Sequence, residues 1–310
     1  MSLQQAYRYC EWITHRHYEN FPVASWLLPK DLRPHVAAVY AFARSADDFA
    51  DESRYHGRSL ELLDHWRNQL RACTNSHPCA HPIFLALADT IRRRDLPIQL
   101  LDDLLTAFRM DVTKRRYADW GELMTYCRYS ANPVGRLVLL LFGIRDERFH
   151  ARSDDICTAL QLANHWQDLR IDLARDILYI PQDLMRSFGV SEADLQKYVI
   201  ASDQRERSNL LVSSGRLLRR PYGPPRNDGF LDPQFQFLMK ELVGRARGLF
   251  DSGAPLVDPL KGGLRLEIKL TLLGGRAILD RVEAVRYDVF NHRPVISTGA
   301  KIGLLARALF

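Results

Sequence analysis

An all-α fold organised as a single domain, residues 1–310, is what this sequence predicts, and three observations predict it. Apolar residues recur at helical spacing through most of the chain. Strand signals are missing, with no sustained period-two runs and no Asn-Gly or Asp-Gly hairpin between β-branched runs. Two stretches are apolar nearly all round yet carry a narrow polar strip, as expected of helices buried in a bundle. With 46% hydrophobic residues the chain can supply a core of its own.

Between Cys10 and Pro29 lie His15, His17, Tyr18, Asn20 and Phe21, an aromatic stretch suited to packing against a neighbour. His35 to Glu52 reads HVAAVYAFARSADDFADE, small or aromatic residues around a polar strip. In it Arg44, Asp47, Asp48 and Asp51 recur at helical spacing, with Asp47 and Asp51 one turn apart. Ser59 to Arg94 is amphipathic through Leu60, Leu63, Trp66, Leu70, Leu85, Leu87 and Ile91, and reads as scaffold. Cys73, His77, Cys79 and His81 punctuate it, but their spacing matches no zinc framework, so an interhelical loop is expected there.

Leu96 to Trp120 holds a further helix that ends in RMDVTKRRYADW, with Asp111, Lys114, Arg115 and Arg116 near its end. Next, YCRYSANPVGRLVLLLFG sets Tyr126 and Tyr129 ahead of Pro133 and Gly135, with small Ser130 and Ala131 at the bend. Asp154 to Asp183 is the stretch around which the rest is organised. On a helix, Asn164, Asp168 and Asp172 fall four residues apart, Gln161 extends the stripe backward, and Arg175 and Tyr179 carry it forward. Leu160, Leu162, Ala163, Trp166, Leu169, Ile171, Leu173, Ala174 and Ile177 crowd the other faces, so the stripe is expected to line an interior cavity. The plainer alternative is a surface helix whose Asp168 and Asp172 pair with Arg175 or Arg170.

Ser202 to Pro233, dense in Arg, Pro and Gly, reads as a long flexible insertion. Helical pattern resumes at Phe235 and reaches EIKLTLLGGRAILDRVEAVRYDVF. The tail KIGLLARALF is short, basic and amphipathic. It is expected to pack on the bundle, with a peripheral membrane contact as the alternative.

Two mostly apolar helices that each carry Asp-x-x-x-Asp suggest one metal site shared between them. Carboxylate oxygens and one amide, without interleaved His or Cys, suit Mg²⁺, which is commonly held together with substrate phosphates. Arg44 could add a charge-assisted contact to the same anion. A di-iron carboxylate bundle would need Glu-x-x-His on two helices. Only Glu147 and His150 offer one, in a loop-like segment.

RSADDFADE and LQLANHWQDLRIDLARDILYIP resemble the two aspartate-rich motifs of the squalene and phytoene synthase family. ENFPVASWLLP (Glu19 to Pro29) and YCRYSANPVGRL (Tyr126 to Leu137) extend the resemblance over most of the chain, toward that family's bacterial hopanoid-pathway branch. The resemblance implies an all-α prenyltransferase fold around a central cavity and a catalytic set of Asp47, Asp48, Asp51, Asp168, Asp172, Tyr126 and Tyr129. It implies Mg²⁺ on Asp47, Asp51, Asn164, Asp168 and Asp172. Substrate contacts are expected from His17, Phe21, Tyr40, Arg44, Asp111, Arg115, Gln161, Asn164, Arg175, Tyr179 and Arg293. Tyr18 and Asn20 depart from the serines that many relatives carry, and Gln167 stands where many have arginine before the fourth aspartate.

The activity so implied is Mg²⁺-dependent conversion of presqualene diphosphate to hydroxysqualene, with water capture and pyrophosphate release. Within the enzyme class, the alternatives are condensation of two farnesyl diphosphates to presqualene diphosphate and reduction onward to squalene with NADPH. Outside it, the alternative is an isoprenoid-binding partner of another synthase. Five scattered cysteines and no apolar leader in MSLQQAYRYCEW point to the cytoplasm. A balance of +6 suits a diphosphate or an anionic membrane surface and is too diffuse to imply nucleic acid.

Overall fold

Among the residues that the computed structural model describes (1–16, 28–74, 80–213 and 231–309, with the side chains of 74 and 205–213 excepted), regular structure is helical throughout. The β-type pairing found there is an isolated bridge between Arg116 and Leu178. His17, Phe21, His77 and Cys79 lie outside these residues.

The first part of the bundle is built by α1 (Leu3–Arg16), α2 (Arg33–Asp51), α3 (Ser59–Thr74), α4 (Pro82–Arg94) and α5 (Ile98–Thr113). α2 and α4 both place proline in their first turn, where a missing N–H costs nothing. His81 caps α4 by accepting a hydrogen bond from the Ile83 N–H, and its ring lies edge-on to Trp66. It therefore has a structural post in the interhelical turn. α6 (Trp120–Ser130) is capped by Asp119, and α7 (Asn132–Leu141) follows after the expected bend at Ala131. The second part comprises α8 (Glu147–Gln167), α9 (Leu169–Ala174), α10 (Gln182–Ser187), α11 (Glu192–Ser213), α12 (Pro233–Gly253), α13 (Gly262–Ala284) and α14 (Thr298–Leu309).

Two apolar clusters fill the bundle. One joins Ala38, Phe42, Leu63, Trp66, Phe84 and Leu105 of α2 to α5. The other joins Leu162, Trp166, Phe235, Leu242, Phe250 and Leu279 of α8, α12 and α13. α7 serves both, with Leu137, Leu140 and Leu141 in the first and Leu139 in the second. Close helix approach depends on glycine at two points. A Cβ on Gly135 would stand 2.3 Å from Ser153 Oγ of α8, and one on Gly275 would stand 2.3 Å from Phe250 Cζ of α12.

Four sequence expectations change. The 154–183 stretch is not one helix. α8 ends at Gln167, α9 ends at Ala174, and Arg175 and Tyr179 lie beyond it. Ile171 and Ala174 are exposed, because the short α9 turns that side outward. Residues 202–213, expected in the insertion, continue α11; its apolar residues and helix formers carry the helix on until the Gly- and Pro-rich run begins. Glu147 and His150 open α8, where His150 is buried and bonded to the Ile144 carbonyl at 3.0 Å.

Candidate functional site

Acids near the C-terminal ends of α2 and α5 lie within electrostatic reach of one another, and Asp51 of α2 reaches Asp172 beyond the α8–α9 junction. On α2, small residues (Ala37, Ala38, Ala41, Ala46) and Phe42 are buried; Asp47 and Asp51 turn away from them, while Asp48 follows Ala37 and Ala41 and is the less exposed acid. Arg44 reaches forward along the helix to both Asp47 (3.0 Å) and Asp48 (2.6 Å). Tyr40, one turn back, is close enough to Arg44, Asp47 and Asp48 to feel their charges, and burial raises its pKa.

Across from it the helix breaks at Asp168 (φ −102°, ψ 13°), yet the i to i+4 ladder survives. The Asp168 N–H donates to the Asn164 carbonyl at 2.9 Å and the Asp172 N–H to that of Asp168 at 3.0 Å. Asn164, Asp168 and Asp172 thus keep the expected succession. Beyond α9 the chain reverses at Asp176, whose φ of +60° is a conformation short polar side chains tolerate. Arg116 holds that turn by bonding the Asp176 carbonyl and carboxylate together with Glu192. The Leu178 N–H then donates to the Arg115 carbonyl at 2.9 Å. This return, not helical periodicity, brings Tyr179 back to the site.

The two aspartate groups face each other. Burial, and after it the Asp51 charge, raises Asp47 to about 6. Burial and the nearby Asp168 and Asp51 carboxylates raise Asp172 to about 7, against the opposing charge of Arg175. Asp111, at the end of α5, is also raised to about 7, by burial and by Asp51 and Asp47, although Tyr126 and Arg115 lie near and oppose the shift. Acids from three helices therefore share one region and oppose one another's ionisation.

Behind the acids stands an aromatic group. The Tyr179 ring stacks on His165 (centroids 3.5 Å apart, planes at 15°) and lies 5.6 Å from both Tyr126 and Tyr117. Tyr126 is buried and its phenol is held well above the ordinary range, first by burial and then by Asp111. Burial alone lowers His165 to about 3, so its imidazole is neutral at physiological pH. Gln161 Nε2 lies 3.4 Å from His165 Nε2. The sequence offered one sign of His165, its place four residues after Gln161, but a histidine among apolar residues reads as core.

Asp168 pairs with neither Arg170 nor Arg175. The Arg293 guanidinium grips it with two bonds (2.7 and 3.1 Å). Gln167 next to it donates to the Pro294 carbonyl, and Arg170 bonds both Asp203 (2.7 Å) and the Phe290 carbonyl (3.4 Å). Residues 290–294 thus lie strapped across the α8–α9 junction. Of the expected site residues, the structure brings together Tyr40, Arg44, Asp47, Asp48, Asp51, Asp111, Arg115, Tyr126, Gln161, Asp168, Asp172, Arg175, Tyr179 and Arg293, through the contacts and charge couplings above. Asn164 is exposed at the edge. Tyr129 stands apart from the aromatic group, with the Arg128 guanidinium 5.9 Å from its ring.

The facing donors are carboxylate oxygens whose mutual repulsion a divalent cation would relieve, and this set fits a hard ion such as Mg²⁺. As the side chains stand, no three His, Cys, Asp or Glu among the described residues converge on one point. Arg44 and Arg293 instead neutralise Asp47, Asp48 and Asp168.

The chain is similar over most of its length to proteins already known. The family described as Squalene/phytoene synthase matches residues 14–210 and 217–300. A hydroxysqualene synthase of Rhodopseudomonas palustris is 44% identical over 184 residues, 59% of this chain and 61% of that protein's length. A phytoene synthase of Arthrospira platensis is 28% identical over 98% of this chain and 92% of its own. The crystal structure of squalene synthase HpnC from Alicyclobacillus acidocaldarius superposes with a TM-score of 0.78 at 35% identity, covering 92% of this chain and 95% of that one.

Proposed function

The chain belongs to the squalene/phytoene synthase family, and from that premise we propose that it converts presqualene diphosphate and water to hydroxysqualene and pyrophosphate. The observation that carries the reading is the facing of Asp47, Asp51, Asp111 and Asp172 in front of the Tyr126–Tyr179–His165 group. The similarity to proteins named hydroxysqualene synthase and squalene synthase HpnC supports the choice of reaction within the family.

Asp47, Asp51, Asp168, Asp172 and the Asn164 amide are the residues that would hold Mg²⁺. Bound there, the ion would neutralise the diphosphate as it leaves. Arg44, Arg115, Arg175 and Arg293 supply fixed positive charge for the same phosphate oxygens, and Arg293 gives up Asp168 to do so. Once the carbon–oxygen bond breaks, the electron pair departs with the diphosphate and a carbocation remains in the apolar interior. The π faces of Tyr126 and Tyr179 stabilise that charge. Their raised pKa keeps both phenols protonated, so neither competes as a phenolate nucleophile. Tyr126, beside Asp111 and in ring contact with Tyr179, stands between the polar and apolar parts of the site. Water adds to the final cation and loses one proton, which balances the release of pyrophosphate.

The test is product identification. Purified protein is given presqualene diphosphate and Mg²⁺ without NADPH, pyrophosphate release is followed, and the extracted lipid is identified. A hydroxylated C30 alcohol supports the reading. No turnover here, with presqualene diphosphate formed from farnesyl diphosphate instead, would assign the chain to the preceding condensation.

A further inference from the structure

We propose that α14 and the residues just ahead of it form a docking surface for an anionic lipid bilayer. Eleven large hydrophobic residues are exposed among the described residues, and four of them fall between positions 295 and 309. They are Val295 (50% exposed), Ile302 (65%), Leu305 (40%) and Leu309 (63%). Ile302, Leu305 and Leu309 are spaced i, i+3, i+7, which sets them along one face of the helix. α14 rests on α13 and buries Ala308, so the expectation that the tail packs on the bundle holds for its other side only.

Charge selects the occupant. From Pro294 to Phe310 the charged side chains are Lys301 and Arg307, with no acid, and both are exposed. A second copy of the chain meeting this face through a two-fold axis would set Lys301, which borders the apolar stripe, against its counterpart with no acid between Pro294 and Phe310 to pair it. The segment 214–230 has four arginines (Arg216, Arg219, Arg220, Arg226) against Asp228, and complements the face no better. Acidic headgroups over an apolar layer answer both halves of the pattern. No helix among the described residues is long and apolar enough to cross a membrane, so α14 would lie in the interfacial plane.

The surface also adjoins the site. The Pro294 carbonyl is held by Gln167, and Thr298, four residues on, begins α14. Those four residues span at most about 14 Å. A substrate with a C30 tail would then have a short path from the bilayer. That last point rests on the proposed function; the docking itself does not.

The full chain would be sedimented with vesicles of phosphatidylcholine alone and of phosphatidylcholine with phosphatidylglycerol, at low and high salt. Two variants accompany it, Ile302→Ser/Leu305→Ser/Leu309→Ser and Lys301→Glu/Arg307→Glu. Binding is expected to the anionic vesicles, to weaken with salt, and to fall about tenfold or more in the charge-reversed variant. The apolar variant should lose binding at all salt concentrations. Circular dichroism checks folding, and the charge-reversed variant alters only exposed residues if the apolar one unfolds. Failure of the unaltered chain to bind anionic vesicles would overturn the proposal. Equal binding by all three proteins would do so too, as would a dimer that the apolar variant dissociates. Vesicle binding without turnover of presqualene diphosphate would overturn the proposed reaction and leave the docking surface standing.

Discussion

Asp111 is the residue at which burial and like charge can be separated from catalysis. Its pKa is raised from 3.8 to about 7. A carboxyl raised on folding contributes stability below its unfolded pKa, and that contribution is lost as pH rises through the folded value. At pH 8 the ionised Asp111 therefore opposes folding of the metal-free protein, whereas at pH 5 it is protonated and neutral. Asp111→Asn should raise the melting midpoint in EDTA at pH 8 by about a few degrees and raise it by less at pH 5, which still lies above the unfolded value. A lower midpoint at pH 8 would mean that the charged form is favourably held. Asp172 is raised to about the same value by burial, Asp168 and Asp51, but here the effect to watch is on turnover. Asp172→Asn should lower kcat by roughly a hundredfold or more, with circular dichroism unchanged. Near-normal kcat would remove Asp172 from the proposed ligand set.

Among elements, the strap and the α7–α8 crossing are the parts with most leverage. Gln167 and Asp168 hold Pro294 and Arg293 side by side, so the segment answers to two successive residues of the junction. Gln167→Ala removes one tie and leaves those of Arg293 and Arg170. It should cost about 1 kcal/mol of stability and raise hydrogen exchange in 290–297 more than elsewhere; uniform exchange would show that the remaining ties suffice. At the crossing, α7 approaches α8 so closely that a Cβ on Gly135 would overlap both Ser153 Oγ and Cys157 Sγ, at 2.3 and 2.6 Å. Gly135→Ala should destabilise by about 1–3 kcal/mol, read as a lower urea midpoint. α8 carries Gln161 and Asn164, so the same change should also lower turnover.

At the scale of the whole molecule, the acids come from helices of both parts of the bundle, and α7 supplies leucines to both apolar clusters. A cation bound between α2 and α9 would tie the two parts together. Mg²⁺ at about a hundred times its dissociation constant should add roughly 2.7 kcal/mol to stability, which EDTA removes. Asp47 and Asp172 take up protons near pH 6 to 7, and protons compete with the cation for them. The Mg²⁺-induced rise in melting temperature should therefore be larger at pH 8 than at pH 5.5. An equal rise at both would place the ion elsewhere. Because the clusters share α7, unfolding is expected in one transition that Mg²⁺ shifts as a unit.

By itself the sequence determined the helical class, because apolar spacing and the lack of strand signals are local properties. It also marked the two acid-bearing stretches, since Asp47 and Asp51, and Asn164, Asp168 and Asp172, keep their succession through backbone hydrogen bonds alone. The bend before Pro133 was legible for the same reason. Other features depend on contacts between residues far apart in the chain, which periodicity cannot carry. Asp168 meets Arg293 across 125 positions, and Asp111 shares the region of Asp47 and Asp51 because α2 packs on α5. Tyr179 returns to Tyr126 because Arg116 pins a left-handed turn at Asp176, where extrapolating the helix would have sent it on past the site. His165 reads in sequence as a core histidine; only its burial against Tyr179 makes it the neutral wall behind the acids. Backbone propensity and spacing act over a few residues, and the opposition of charges across the site is set by the packing of whole helices.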